Sequence, residues 1–218
     1  MQSRLLRGHI LGVRRSDEPA KGQPLQDDAW LVADAYVRGA DLVATYKPTN
    51  DWPFSPQIYW RIDRANAAEQ IASQSLLISV QTHLLETWPR ISIESHLNSD
   101  EVLVLSPRSD SGAISRPLDR GDHVFHPSTS MGCIVRRLAG LDFSYVEIMS
   151  PSDYRELRIN WSADGASHAD WLLFADFLEK GVIWRARLQS VLVPRENDIE
   201  HAISCCRADE QRPLPLTT

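Results

Sequence analysis

Cysteine is scarce in this chain of 218 residues, and its apolar runs are short. The three cysteines, Cys133 and the neighbours Cys205 and Cys206, lack the even count and regular spacing of a disulfide framework. Adjacent residues on a helix cannot close a disulfide without strain, so we expect free thiols and a cytoplasmic protein. Runs such as residues 171–175 fall far short of the roughly 20 residues of a membrane span, so no membrane association is predicted.

Glycine and proline, with 10 and 13 residues, are too few for a low-complexity or collagen-like chain. Positive charge is also in the minority, because 23 Lys and Arg oppose 29 Asp and Glu to give a formal net charge of −6. This charge repels the phosphate backbone of nucleic acids, so we expect no nucleic-acid partner. Residues 1–15 lack the apolar core of a signal peptide, so no export signal is predicted.

Arginine, in contrast, is abundant. Lysine occurs only at positions 21, 47 and 180, so 23 − 3 = 20 of the basic residues are arginines. Guanidinium groups bind carboxylates and phosphates through paired hydrogen bonds. A bias in the base composition of the encoding genome is the simpler explanation of the excess, so only arginines that converge on one face would indicate a binding role.

Local patterns predict both strands and helices. Residues 57–62 alternate between apolar and polar positions, which is typical of a half-buried strand. Helix starts are indicated by Asn66-x-x-Glu69, Ser167-x-x-Asp170 and Asn197-x-x-Glu200, each followed by apolar residues at helical spacing. We therefore predict an α+β fold, with a mainly antiparallel β-sheet and about three helices.

The order of predicted elements indicates an internal repeat. Gly39-x-Asp41 recurs as Gly140-x-Asp142, and a hairpin, a strand, a helix and a long strand follow one another in both halves. This suggests duplication of a β-β-β-α-β unit, with the halves fused into one globule around a groove. The predicted segments are an N-terminal segment and loop (1–28), a first half with an added hairpin (29–105), a linker loop (106–130), a second half with a C-terminal helix (131–208) and a frayed tail (209–218).

A cluster of possible metal ligands occurs at His123, His126 and Cys133. Imidazole and thiolate groups suit zinc, and no other cofactor is predicted. On a strand, however, His123 and His126 would point to opposite faces, and further ligands would have to come from His83, His96 or His168. Exposed loop histidines beside a buried cysteine are the simpler interpretation.

A second candidate site uses polar strand faces. Glu156 and Arg158 share one predicted face, Arg185 and Arg187 share another, and Tyr145 and Glu147 share a third. If these strands are neighbours, the three arginines could hold an anionic ligand with carboxylates nearby. A solvated sheet face with cross-strand ion pairs is the alternative.

The tryptophans are predicted to serve mostly as core residues. Trp60, Trp161, Trp171 and Trp184 fall on predicted buried faces, where large rings supply much of the burial. Trp52 and Trp88 stand next to prolines in predicted loops and are the candidates for exposure and recognition.

No complete catalytic signature is present: the chain has no Gly-x-Ser-x-Gly elbow, glycine-rich phosphate loop or His-Glu-x-x-His motif. The leading hypothesis is a non-catalytic binding or interaction module for an acidic small molecule or a protein partner. A metal-assisted hydrolase and a structural, self-assembling protein are the alternatives. The sequence leaves open whether the chain is an enzyme and whether it forms a homo-oligomer.

Overall fold

The protein is described here by a computed structural model covering residues 12–15, 32–49, 52–63, 70–107, 113–130 and 132–210. Within these ranges it has thirteen strands and one helix. The strands are β1 Gly12–Arg15, β2 Val32–Arg38, β3 Asp41–Tyr46, β4 Phe54–Asp63, β5 Ala72–Thr82, β6 Ile91–Pro107, β7 Ala113–Pro117, β8 His123–Phe125, β9 Cys133–Leu138, β10 Phe143–Met149, β11 Glu156–Trp161, β12 Ala166–Leu172 and β13 Trp184–Pro194, and the helix is α1 Asp198–Glu210.

The strands form two antiparallel sheets that share one strand. In the large sheet the order is β2-β3-β4-β5-β13-β10-β9-β6, with β7 on the far side of β6. In the small sheet β6 is followed by β12, β11 and β8, and β1 lies on its other side. The 17-residue strand β6 therefore passes from one sheet into the other. Its first half pairs with β12 and its second half pairs with β9.

The main core lies between the two sheets. Alternation in β12 turns Ala169 and Trp171 inward, and alternation in β5 turns Leu76 and Ile78 toward them. All four side chains are fully buried. The arrangement is a β-sandwich, in which inward-facing residues of both sheets exclude water while their strand neighbours point outward.

Helix α1 adds a third layer on the opposite face of the large sheet. Ala202, Cys205 and Cys206 pack there against residues such as Val135 and Val191. The three cysteines are free, as expected from their spacing. No helix in the described ranges has the length and apolar character needed to cross a membrane.

The predicted α+β class with about three helices is wrong, because the described residues form an almost entirely antiparallel β-structure with a single helix. The helix predicted from Ser167 is instead strand β12, in which every second residue is buried. Capping-box residue types and apolar residues at helical spacing also fit this strand and the loop after it, where Phe174 and Leu178 enter the core.

The helix predicted from Asn66 begins outside the described residues, and its later part, Ala72 and Ser75, belongs to β5. Only the helix predicted from residue 197 is confirmed, by α1. The duplicated β-β-β-α-β unit is therefore wrong as well, since no helix lies between the strands of either half within the described ranges.

The predicted segments are only partly described. Of the N-terminal segment 1–28, only residues 12–15 are described, and they form β1. Within 106–130, the described residues include β7 and β8, which pair with β6 and β11. Residues 209–210 end α1, and 211–218 lie outside the described residues.

Gly132 offers a sharp test of this packing. Its φ is +68°, and a Cβ at this position would lie 1.8 Å from the Met149 carbonyl oxygen. We expect Gly132→Ala to lower the free energy of unfolding by about 3 kcal/mol or more, because a left-handed backbone and a backbone clash add together. Gly140→Ala is the control, with φ +67° and no atom within 4 Å of the added Cβ, and should cost about 1 kcal/mol in denaturant unfolding. Equal losses for both variants would contradict the packing.

Asp198 at the start of α1 provides a pH-dependent test. Burial raises the pKa of Asp198, but hydrogen bonds from Arg137 at 2.8 Å and Ser144 at 2.7 Å outweigh it and lower the pKa below 3.8. A lowered folded-state pKa stabilises the protein above the unfolded pKa, and this stability is lost as the pH falls. Asp198→Asn should therefore cost about 2 kcal/mol at neutral pH. The difference from wild type in thermal unfolding should shrink below pH 3.8, and a constant difference would contradict the assignment.

Candidate functional site

The outer face of the small sheet carries a dense group of polar side chains. Residues that alternate with the buried ones on β6, β12 and β11 all point away from the core. Strand pairing then aligns them in two cross-strand rows. We call this group the outer polar face; its members are Glu94, Asp170 and Arg158 in one row, His96, His168 and Asn160 in the next, and Glu156 beside Arg158 on β11.

Two histidines lie at the centre of the outer polar face. The imidazole rings of His96 and His168 are 4.0 Å apart between centroids and are inclined by 41°. The Glu94 Oε2 atom lies 3.8 Å from His168 Nε2, which is too far for a direct hydrogen bond. His168 Nε2 is shielded from solvent and makes no hydrogen bond within the described residues. A ligand would therefore meet this pair at the exposed parts of the two side chains, which are 17% exposed for His168 and 21% for Glu94.

The arginine of this face is already paired. Arg158 donates from Nε to Glu156 Oε1 on the same strand, and its side chain is 59% exposed. Near the end of the small sheet, hydrogen bonds from the Ser162 hydroxyl and the Ala166 N–H lower the pKa of Asp164, with a smaller contribution from His96. The outer polar face thus combines one neutralised arginine with two histidines and two further carboxylates.

This composition suits a neutral ligand rich in hydroxyl groups. Carboxylates accept hydrogen bonds, and a neutral imidazole offers one donor and one acceptor. Hydroxyl groups both donate and accept, so they complement such a surface without adding charge. An anionic ligand would face the carboxylates of Glu94 and Asp170, with Arg158 already bound to Glu156.

The structure separates the six residues of the sequence-derived ligand site into three places. Arg158 and Glu156 lie on the outer polar face of the small sheet. Arg185 and Arg187 lie on β13 in the large sheet, on the face that packs against α1. Strands β11 and β13 are not neighbours in the strand order, so the three arginines do not converge.

The two arginines on β13 have different surroundings. Arg187 is nearly buried. Its guanidinium lies 2.8 Å from the Asp209 carboxylate and donates to the Asp209 backbone carbonyl oxygen at 3.1 Å. These contacts hold the last turn of α1. Arg185 lines an open cleft of about 380 Å³. The other lining residues are Ser152, Asp153, Arg155, Leu173, Phe174, Ile183 and Trp184.

Glu147 and Tyr145 lie between the two sheets, away from both surfaces. Glu147 forms a fully buried ion pair with Arg136, accepts a hydrogen bond from Trp171 Nε1 at 2.7 Å and another from Ser95 Oγ at 2.5 Å. Burial raises the pKa of Tyr145, whose ring lies 5.3 Å from the Arg136 guanidinium. These groups have no access to a ligand from solvent.

The candidate metal ligands are also directed to different surroundings. Cys133 packs between the large sheet and α1, where burial raises the pKa of its thiol. The His123 Nε2 atom lies 3.0 Å from the Asp119 carbonyl oxygen. His126 is exposed, and its Nδ1 lies 3.4 Å from the Arg155 carbonyl oxygen. Within the described ranges, no group of three or more His, Cys, Asp or Glu side chains is placed to hold a metal ion.

Sequence reasoning missed the histidine pair because it read residues 167–178 as a helix. Read as a strand, Ala166–Leu172 would have placed His168 on the polar face, although no sequence signal pairs it with His96. Of the two tryptophans expected in loops, Trp88 is 61% exposed and packs edge-on against Phe177, whereas Trp52 is buried.

Comparisons with known proteins find a similar fold in several solved structures. No family model and no curated protein matches the sequence. Among solved structures, the Slr1438 protein of Synechocystis and a candidate aldose 1-epimerase of Escherichia coli both superpose with a TM-score of 0.54 at 9% identity over 76% of this chain. The matches cover 66% and 68% of those chains, so this chain spans about two thirds of their length.

A third solved structure, a TPR-domain containing protein of Parabacteroides distasonis, superposes with a TM-score of 0.52 at 9% identity. This match covers 84% of the present chain and 37% of the chain of that protein. At such low identity these likenesses show a shared fold and nothing more.

The buried ion pair can be tested by removing one or both partners. Glu147→Leu should lower the free energy of unfolding by about 3–5 kcal/mol, because the Arg136 charge stays buried without its partner. The double variant Arg136→Met/Glu147→Leu should recover at least about half of this loss. Denaturant titration of the wild type and both variants measures the difference. A double variant no more stable than Glu147→Leu would contradict the coupling.

Proposed function

We propose that this protein binds a neutral carbohydrate or a similar polyol on the outer polar face of the small sheet. The observation that carries the proposal is the His96–His168 pair beside the Glu94 carboxylate, which lies 3.8 Å from His168 Nε2. A sugar hydroxyl could donate to the partly exposed Glu94 carboxylate, which is 21% exposed, and the two imidazole rings would border the ligand.

The surrounding residues support a ligand of several hydroxyl groups. Asp170 and Asn160 lie on the same face as the histidines, and Asn160 pairs directly with His168 across the strands. Their acceptors and donors are fixed by the strand framework, which lowers the conformational entropy lost on binding. Among the named functions of the structural neighbours, aldose 1-epimerase also concerns a sugar, which supports this ligand class by analogy of fold.

A catalytic version of the same proposal is an aldose epimerase that moves protons at the anomeric centre. Its supporting observation is again the histidine pair, because an imidazole near a carboxylate can donate or accept a proton at neutral pH. Ring opening needs a proton removed from the anomeric hydroxyl and a proton given to the ring oxygen, and two adjacent imidazoles provide two such groups. The sheet-face geometry fits both binding alone and this reaction.

We expect His168→Ala and Glu94→Gln each to weaken binding of glucose or galactose about tenfold or more, because the first removes an imidazole ring that borders the ligand and the second removes a charged acceptor. Calorimetric titration or ligand-observed NMR measures the affinity. Glu200→Gln on the exposed start of α1 is the matched control and should leave affinity unchanged.

Polarimetry distinguishes the catalytic version of the proposal from binding alone. An epimerase would accelerate the mutarotation of α-glucose, and His168→Ala would remove the acceleration. Binding without acceleration would leave a carbohydrate-binding module. Failure of a panel of neutral aldoses and polyols to bind the wild type, or equal affinities for all variants, would overturn the proposal.

A further inference from the structure

We propose that two copies of this chain associate through strand β2, which pairs with β2 of the second copy and joins the two large sheets into one. Strand β2 forms the outer edge of the large sheet. All seven of its residues are exposed, and no described strand pairs with its second side. The outer polar face belongs to the small sheet, so this inference concerns a different surface and does not depend on the proposed function.

The composition of β2 lacks the usual protection of an edge strand. Natural edge strands are kept apart by lysine, proline, bulges or short length. A register shift between Val32 and Asp34 makes one end of β2 irregular, but residues 34–38 pair regularly with β3. They contain neither lysine nor proline, and Val37 is 74% exposed. Their charges cancel, since Asp34 and Arg38 are the only ionisable acid and base in the strand. Two such edges therefore meet without net charge repulsion.

The hairpin geometry tells which backbone groups of β2 are free. Arg38 and Asp41 close a two-residue turn in which Gly39 has φ +63°. The pair that closes such a turn exchanges its backbone hydrogen bonds within the hairpin. The N–H and C=O groups of successive residues point to opposite sides of a strand. The backbone groups of Tyr36 therefore face β3, like those of Arg38, whereas those of Ala35 and Val37 face outward.

One antiparallel register satisfies both the backbone and the charges. In this register Tyr36 lies opposite Tyr36 of the second copy. The twofold axis then produces two equivalent pairs, in which Ala35 of each copy lies opposite Val37 of the other, and together these pairs form about four backbone hydrogen bonds. Asp34 then lies opposite Arg38 twice, in the closely spaced pairs that bring side chains together. Shifting the register by two residues keeps the hydrogen bonds but places Asp34 opposite Tyr36, which loses both ion pairs.

The charged residues are available for this contact. None of the ion pairs among the described residues involves Asp34 or Arg38. Asp41, the hairpin neighbour of Arg38, is already bound by Arg61 at 2.5 and 2.7 Å. In the proposed register Arg38 therefore finds its carboxylate in the second copy, and the exposed Val37 side chain gains an apolar neighbour.

The wild-type protein should show a concentration-dependent native mass that approaches twice 24.7 kDa. Sedimentation equilibrium measures this mass. Asp34→Arg and Arg38→Asp should each weaken dimerisation about tenfold or more, because every cross-copy ion pair becomes a like-charge contact. Glu179→Arg, an exposed charge reversal in the loop before β13, is the matched control and should dimerise like the wild type.

A mixture of the two weakened variants gives the decisive test. In a mixed dimer of Asp34→Arg with Arg38→Asp, both contacts again join opposite charges, so the mixture should recover the dimer that neither variant forms alone. Differential isotope labelling with native mass spectrometry distinguishes mixed from identical pairs. Far-ultraviolet circular dichroism shows whether each variant is folded, and recovery on mixing by itself requires both to be folded.

A wild type that stays monomeric at its highest soluble concentration would overturn the proposal. Dimerisation of both single variants with wild-type strength would overturn it too, because a different surface would then carry the dimer. A mixture of folded variants that stays monomeric would exclude the register centred on Tyr36.

Discussion

The two sheets depend on a charged cluster that is buried between them. Arg136 and Glu147 come from the large sheet, while Ser95 and Trp171 reach them from the small sheet through hydrogen bonds of 2.5 and 2.7 Å to Glu147. A buried carboxylate is tolerated only when its charge and its lone pairs are satisfied, so the sheets must keep the spacing that allows these contacts. Strand β6 contributes Ser95 from the half that pairs with β12, before its pairing passes to β9 at Ser99.

Because of this arrangement, the two faces of the small sheet have different roles. The inward face supplies Trp171 and its apolar neighbours to the core, while the outward face is free to carry His96, His168 and their carboxylate neighbours. A rigid sheet whose inner face is fixed by packing holds polar side chains on its outer face with little freedom. The outer polar face thus owes its geometry to the core beneath it. At the edge of the large sheet, the exposed strand β2 carries charges of both signs.

Particular residues show how far local patterns reach. The alternation in residues 57–62 and the capping residues near Asn197 predicted β4 and α1 correctly, because each is governed by contacts within a few neighbours. Ser167 to Leu178 satisfied a helical pattern equally well, yet Trp171 bonds to Glu147 and packs against Tyr154, which only a strand in this position allows. The candidate site was missed for the same reason: His96 and His168 are 72 residues apart in sequence (168 − 96 = 72), and only the pairing of β6 with β12 brings them together.

The sequence by itself determined the β-rich character of the chain, the free cysteines, the final helix and the shared face of Arg185 and Arg187, because these follow from residue type and local periodicity. The tertiary structure alone decided which strands are neighbours, and therefore that Arg158 lies apart from the other two arginines and that Glu147 is buried with Arg136. Strand pairing joins residues that are distant in sequence, and its choice depends on the burial of whole faces at once. No short pattern along the chain encodes that choice.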